Sequence, residues 1–129
     1  EDCVFSVDFS AYSKTLITAS ADRTARVWNI GPEGGSTAPP LRGPGSTVLA
    51  ASFAPSGESA TASGDKTVKL WNSGGGNIRT LSGAKDWIYA VRFGKDGKSV
   101  AGGTWDGAVL IWNEADGKLI RQFSTGPQR

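Results

Sequence analysis

Short runs that alternate apolar and polar residues recur along the chain, with tight-turn signals between them. In the last third, residues 87–93 (WIYAVRF) alternate as a half-buried strand does. Three more strand-like runs follow at 99–104, 108–112 and 118–123. Asp-Gly pairs stand in the gaps, and Asp-Gly between strands is a strong hairpin signal. The pattern predicts four antiparallel strands joined by tight turns.

The two preceding segments follow the same plan, and the middle one offers strands at 47–53, 59–63, 67–71 and 77–81. The first segment starts with a strand over residues 3–9 and ends in a longer stretch rich in Gly, Pro and Ser, residues 31–40. We interpret that stretch as a surface insertion. Its Pro39 and Pro40 fall in an outermost strand, where a missing N–H is tolerated. The pattern predicts one unit over residues 1–129, with repeats at about 1–42, 43–82 and 83–125.

Each segment contains a Ser/Thr-x-Asp triplet that is followed six residues later by a tryptophan. The three copies are Ser20, Asp22 and Trp28; Ser63, Asp65 and Trp71; and Thr104, Asp106 and Trp112. Intervals of 43 and 41 residues separate the aspartates, and the same intervals separate the tryptophans. A fixed period of this size is typical of proteins whose repeats pack side by side.

These triplets and their spacing resemble WD repeats (tryptophan–aspartate repeats), and the resemblance covers nearly the whole chain. It implies an all-β fold of three four-stranded antiparallel β-propeller blades, in an open arc or as part of a closed ring. Two departures from the family pattern stand out. Asn29, Asn72 and Asn113 follow the tryptophans in place of aspartate, and Gly43-Pro44 and Gly83-Ala84 stand where the family has Gly-His.

Three blades are fewer than the roughly four to eight with which propellers close. Two explanations are open. The chain is a piece of a longer propeller whose further blades complete the ring, which the absence of methionine favours. Alternatively, copies of the chain associate head to tail into a ring.

We assign the repeated triplet to structure and not to catalysis. An aspartate carboxylate at a tight turn accepts backbone N–H groups, which suits Asp22, Asp65 and Asp106. A buried tryptophan brings a large apolar face and one N–H that needs a partner. The hydroxyls of Ser20, Ser63 and Thr104 are the predicted acceptors for those indoles.

The resemblance also implies that partners bind the top face, around the mouth of the central channel. Carried over blade by blade, the rim positions are Cys3, Phe5 and Ala21; Thr47, Leu49 and Gly64; and Trp87, Tyr89 and Trp105. The third blade is the most aromatic, and strand alternation predicts that Trp87 and Tyr89 share a side. We therefore predict a partner-binding site formed by Trp87, Tyr89, Trp105, Leu49, Thr47, Phe5 and Arg92. The alternative is that the aromatic side chains pack into the channel or against a neighbouring blade.

Composition narrows the possible functions. The chain has no histidine, so it lacks the most usual general base and metal ligand. Cys3 stands alone, which excludes an intrachain disulfide and a cysteine metal cluster. We expect no metal and no cofactor. A net charge of +2 is too mild to indicate nucleic acid or an anionic membrane as a partner. The unpaired cysteine favours the cytoplasm, although the compartment stays open.

The expected function is a non-catalytic protein–protein interaction scaffold that binds a peptide or protein on its top face. The alternative is the propeller portion of a larger multidomain enzyme or sensor whose catalytic domain lies outside this chain.

Overall fold

The computed structural model describes residues 3–10, 15–29, 41–42, 47–72 and 76–124, and these residues form three antiparallel four-stranded sheets. The proposed insertion at 31–40, with Pro39 and Pro40, lies outside the described residues. The strands are β1 Val4–Phe9, β2 Thr15–Ser20, β3 Thr24–Asn29, β4 Leu41–Arg42, β5 Val48–Phe53, β6 Ser59–Ser63, β7 Val68–Trp71, β8 Asn77–Leu81, β9 Ile88–Phe93, β10 Ser99–Thr104, β11 Ala108–Asn113 and β12 Leu119–Ser124.

Each sheet contains four consecutive strands in chain order, so each is one blade: β1–β4, β5–β8 and β9–β12. The all-β fold is confirmed, and the described strands begin and end within about a residue of the alternating runs. The Asp-Gly turns form as predicted. Gly97 and Gly117 have φ angles of 72° and 75°, which lie in the left-handed region where glycine carries no steric cost.

The inner strand of every blade carries a β-bulge near its start. Phe5, Leu49 and Tyr89 are the residues skipped by the pairing with the second strand. A bulge bends the strand and redirects a side chain. It also interrupts the period of two, so Val48 and Ala51 lie three residues apart yet belong to one core cluster.

The core lies between the blades. One cluster joins Ile17, Ala19 and Ala25 of the first blade to Val48, Ala51 and Trp71 of the second. A larger cluster joins the second blade, with Ala60, Ala62, Val68 and Leu70, to Ile88, Val91, Val100, Leu110 and Trp112 of the third. We call the side of a blade that packs on the preceding blade its front face, and the opposite side its back face. Repeat proteins are stabilised by apolar side chains buried in this way between neighbouring repeats.

Among the described residues, no blade packs on the two outermost faces. On the front face of the first blade, Val4 and Val7 are 61% and 58% exposed, whereas Val48 and Ala51, at the same positions in the second blade, are 0% and 5% exposed. On the back face of the third blade, Phe123 is 44% exposed, whereas the equivalent Leu81 is completely buried. Both ends of the arc therefore present apolar side chains that the inner blades bury.

Polar side chains meet across each junction. Between the first two blades, the Ala51 N–H donates to Ser6 Oγ at 3.3 Å, and the Phe53 N–H donates to Asp8 Oδ2 at 2.8 Å. Between the second and third blades, Glu58 lies beside Glu114. The hydrogen bond with Glu114 raises the pKa of Glu58, burial and carboxylate repulsion add to that rise, and the charge of Arg79 opposes it.

Candidate functional site

Equivalent backbone hydrogen bonds close the top of every blade and fix the rim positions. They run from Ala21 N–H to Cys3 O at 3.0 Å, from Gly64 N–H to Thr47 O at 3.1 Å, and from Trp105 N–H to Trp87 O at 2.9 Å. Because the same bond recurs, side chains at equivalent positions are presented at the same height around the arc. The backbone therefore sets the rim positions, and the blades carry different side chains at those positions.

A recess of about 220 Å³ opens among the rim side chains, and we call it the rim recess. Its lining consists of Phe5, Thr47, Leu49, Gly64 and Trp87. These residues come from all three blades, so the recess exists only when the blades are packed. Phe5 and Leu49 are the bulge residues at the start of their strands. The recess brings together four of the seven predicted binding residues, together with Gly64.

Tyr89 and Trp105 form an aromatic pair on the third blade. Their ring centroids lie 6.1 Å apart at an interplanar angle of 68°, an edge-to-face arrangement that aromatic pairs favour. Both are widely exposed, at 50% and 72%, and Trp87 is 54% exposed. Asp86 fixes the start of the strand, since its Oδ1 accepts the Trp87 N–H at 2.8 Å.

The structure places Trp87 and Tyr89 on different surfaces, although simple alternation predicts that they share a side. Tyr89 is a bulge residue, so the alternation breaks between them. Trp87 lines the rim recess, whereas Tyr89 contacts Trp105 and lines a concave surface along the inner strands. Arg92 lies further along that same surface, beside Val91 and at a distance of three residues from Tyr89.

The tryptophans of the repeated triplet find acceptors other than the predicted ones. The Trp28 indole donates to Thr18 Oγ1 and the Trp71 indole to Thr61 Oγ1, each at 3.0 Å. The prediction that Ser20 and Ser63 accept these bonds is wrong. Trp28 pairs with Leu16, so Ser20 lies four residues, roughly 13 Å, further along the strand. Thr18 lies only two residues along, within reach of the indole.

The third blade departs from this pattern because glycine occupies the threonine position. Gly102 lies under the ring, and a Cβ there would stand 3.0 Å from Trp112 Cζ3 and 3.2 Å from Ile88 Cγ2. The Trp112 indole instead donates to the backbone oxygen of Ser82 at 2.9 Å, which corrects the prediction for Thr104. Glycine here permits a closer approach of the ring and removes the hydroxyl that it would otherwise use.

The aspartates of the triplet are turn residues, as the hydrogen bonds around them show. Thr24 and Thr67 each donate an N–H to the preceding aspartate, Asp22 or Asp65, at 3.0 Å, and each also donates its hydroxyl. The hydroxyl bond from Thr24 is the main cause that lowers the pKa of Asp22, and burial opposes it.

In the third blade, the hydroxyl that donates to the aspartate belongs to the residue two positions before it in sequence, and not to the residue two positions after it. Thr104 donates to Asp106 and accepts the Ala108 N–H at 3.0 Å. The serines of the other triplets act similarly as acceptors, since Ser20 and Ser63 accept the N–H of Asp22 and Asp65 at 3.3 and 3.1 Å. These contacts support the assignment of the triplets to turn geometry.

Among the described residues, no group of three or more Cys, Asp or Glu side chains is arranged to hold a metal ion. No helix in those residues is long and apolar enough to cross a membrane.

Three packed blades and a rim recess that draws on all of them define a propeller-type repeat protein. The family model described as "WD domain, G-beta repeat" matches residues 1–29, 36–72 and 75–113. The chain belongs to the WD-repeat family, as the triplets predicted. WD repeats generally mediate protein–protein interaction, and their fold is typically a non-catalytic scaffold.

Proposed function

We propose that this chain is a peptide-binding platform whose partner places an apolar side chain in the rim recess. The observation that carries the proposal is the recess itself, where Phe5, Leu49 and Trp87 converge from three blades. Large apolar side chains that stay exposed and cluster around a concavity are typical of recognition surfaces. No catalytic step is proposed.

The size of the recess favours a side chain over a small-molecule ligand. Its volume of about 220 Å³ is below the roughly 300–1,000 Å³ of pockets that enclose drug-sized ligands. The walls are apolar, and the Thr47 hydroxyl offers one polar contact. An aliphatic or aromatic side chain of a peptide therefore suits it best.

Tyr89 and Trp105 extend the same surface beyond the recess. Aromatic side chains with polar tips dominate binding hot spots because they bury a large area at low entropic cost. In this proposal a peptide anchored in the recess continues across the exposed edge-to-face pair, which supplies a second apolar contact.

Selection from a phage-displayed random peptide library on the immobilised chain tests the proposal. Peptides that bind the parent chain should lose at least about 2 kcal/mol of affinity, roughly 30-fold, when Trp87→Ala removes one wall. Ile120→Ala is the matched control. Ile120 is 55% exposed, much like Trp87, but lies on the outermost strand of the same blade. Selected peptides that bind the Trp87→Ala variant as tightly as the parent would refute the site.

A further inference from the structure

We propose that the peptide held in the rim recess continues as an extended chain along the inner strands and places an acidic side chain on Arg92. This inference rests on the proposed function, because it names the chemistry of the partner that the recess anchors. Its basis is a groove that leads from the recess to two cationic side chains.

A continuous concave surface runs along the inner strands from the rim recess. Its upper part, a hollow of about 350 Å³, shares Phe5 and Leu49 with the recess and extends to Tyr89 and Arg92. Its lower part, a hollow of about 260 Å³, shares Asp8 and Arg92 with the upper part and extends to the ends of the inner strands. We call the two hollows together the inner groove. Arg92 stands where its two parts meet.

Two cationic side chains and one carboxylate line the inner groove. Arg92 and Lys95 are exposed, and no carboxylate of the described residues forms an ion pair with either. The carboxylate is that of Asp8, whose Oδ2 already accepts the Phe53 N–H at 2.8 Å. The groove therefore has a positive balance, and a carboxylate is the complementary group. A guanidinium binds a carboxylate with two parallel hydrogen bonds.

The inner strand of the third blade also offers a backbone donor to an extended peptide. β9 is the last strand of its sheet, so one of its edges pairs with no strand of that sheet. In the second blade the equivalent edge is occupied, because the Ala51 N–H donates to Ser6 Oγ at 3.3 Å. Val91 stands at the Ala51 position, and Ala50, at the Ser6 position, has no hydroxyl to accept its N–H. A peptide carbonyl can accept there, as when an extended peptide adds to a sheet edge.

Strand geometry sets the spacing between the apolar anchor and the acidic side chain. Tyr89 occupies in the third blade the position that Leu49 occupies in the second, where it lines the recess. Arg92 lies three residues further along its strand, which is roughly 10 Å at the rise of a β-strand. An extended peptide covers that distance in about three residues as well. The acidic residue should therefore stand about three positions from the apolar one.

The carboxylate is assigned to a side chain, Asp or Glu, and not to the end of the peptide. The inner groove continues past Arg92 to Lys95 and Pro55, so the peptide chain has room to pass the guanidinium. The partner in this inference is thus an extended acidic peptide segment that lies along the groove.

Parallel selections from the phage-displayed peptide library on the parent chain and on Arg92→Glu test the inference. Peptides selected on the parent should be enriched in Asp or Glu about three positions from an apolar residue. Peptides selected on Arg92→Glu should instead carry Lys or Arg there. The same composition at that position in both pools would overturn the inference.

Synthetic copies of the parent-selected peptides, amidated at the C-terminus so that all carboxylates are side chains, then give affinities. Arg92→Glu should weaken binding at least about tenfold, as expected when a hydrogen bond to a charged group is lost. Replacing the acidic residue of the peptide with Lys should restore binding to that variant. Because this rescue requires a folded variant, it separates a lost contact from a lost fold. Unchanged affinity, or a peptide that binds only with a free terminal carboxylate, contradicts the assignment.

Lys98→Glu is the matched control, because Lys98 is also an exposed cation of the third blade but does not line the inner groove. It should change the affinity by less than about twofold, and a loss equal to that of Arg92→Glu would show a general charge effect and sink the inference. Trp87→Ala separates the inference from the proposed function. If Trp87→Ala weakens binding and Arg92→Glu does not, the recess stands and the acidic contact is wrong. If neither weakens binding, both are wrong.

Discussion

The buried indole of Trp71 donates its N–H to Thr61. We predict how much this hydrogen bond inside the second blade contributes to the free energy of unfolding. The donor–acceptor distance is 3.0 Å. Trp71 is 3% exposed and Thr61 is 1% exposed, so water cannot replace a lost acceptor. Thr61→Val keeps the shape and removes the oxygen, which leaves a buried N–H unpaired. We expect the free energy of unfolding to fall by about 1–3 kcal/mol.

The first blade provides a matched comparison. Trp28 donates to Thr18 over the same 3.0 Å, but Trp28 is only half-buried. Water can reach this indole when Thr18→Val removes the acceptor, so the expected loss is about 0.5 kcal/mol, the lower end for a single hydrogen bond. The difference between the two variants isolates the effect of burial from that of the bond.

Urea unfolding monitored by circular dichroism measures both variants, at one protein concentration for all proteins. Unchanged denaturant slopes would show that the variants differ in stability and not in the extent of unfolding. If Thr61→Val loses less than about 0.5 kcal/mol, or if Thr18→Val loses as much, burial does not control the strength of the bond. Thr80→Val, at an exposed hydroxyl that accepts Lys69 Nζ, gives the baseline for the substitution itself.

Three further predictions concern packing and pH. Gly102→Ala should destabilise the fold by about 1–3 kcal/mol through overpacking, whereas Gly103→Ala, with its nearest contact at 3.6 Å, should be tolerated in the same urea assay. The pKa of Asp22 is lowered from its ordinary 3.8, so its stabilising effect is present above pH 3.8 and is lost as the pH falls through the folded-state pKa. Asp22→Asn should remove the loss of stability that protonation of Asp22 causes in acid unfolding. The pKa of Glu58 is raised above 4.5, so its contribution is present below pH 4.5 and is lost as the pH rises through the folded-state pKa. Glu58→Gln should therefore raise the free energy of unfolding at neutral pH, and a decrease there would contradict this assignment.

The blades were predictable from the sequence because local chemistry determines them. Alternating runs, Asp-Gly turns and the period of the triplets give the strands and their grouping. Apolar residues also lie on both sides of the inner strands, which agrees with burial of these strands between neighbouring blades. The alternation and the turns act over a few residues, and the period is read from the spacing of the triplets, so no knowledge of long-range contacts is needed.

The indole acceptors were not predictable in the same way. Thr18 and Ser20 lie on the same side of one strand, and both offer a hydroxyl. Strand pairing decides between them, since the residue opposite Trp28 is Leu16 and Thr18 is the nearer hydroxyl. In the third blade the acceptor is a backbone oxygen of Ser82, thirty residues away in sequence. A backbone acceptor leaves no side-chain signal to read.

The orientation of the rim side chains was also not predictable from the sequence. The resemblance to WD repeats named the positions, but the bulges at Phe5, Leu49 and Tyr89 determine where the side chains point. A bulge of this kind gives no sequence signal in a run of alternating apolar residues. For that reason the recess, and the separation of Tyr89 from it, emerge only from the three-dimensional arrangement.

Ser6 and Asp8 have an effect beyond holding two blades together. Their oxygens accept the N–H groups of Ala51 and Phe53 on the inner edge of a sheet, where a free edge invites pairing with a foreign strand. With those donors engaged, another extended chain cannot add to this edge, so the first blade protects the second against edge-to-edge aggregation. The same two amide hydrogens should exchange slowly with solvent, and Asp8→Ala should expose the Phe53 amide to fast exchange.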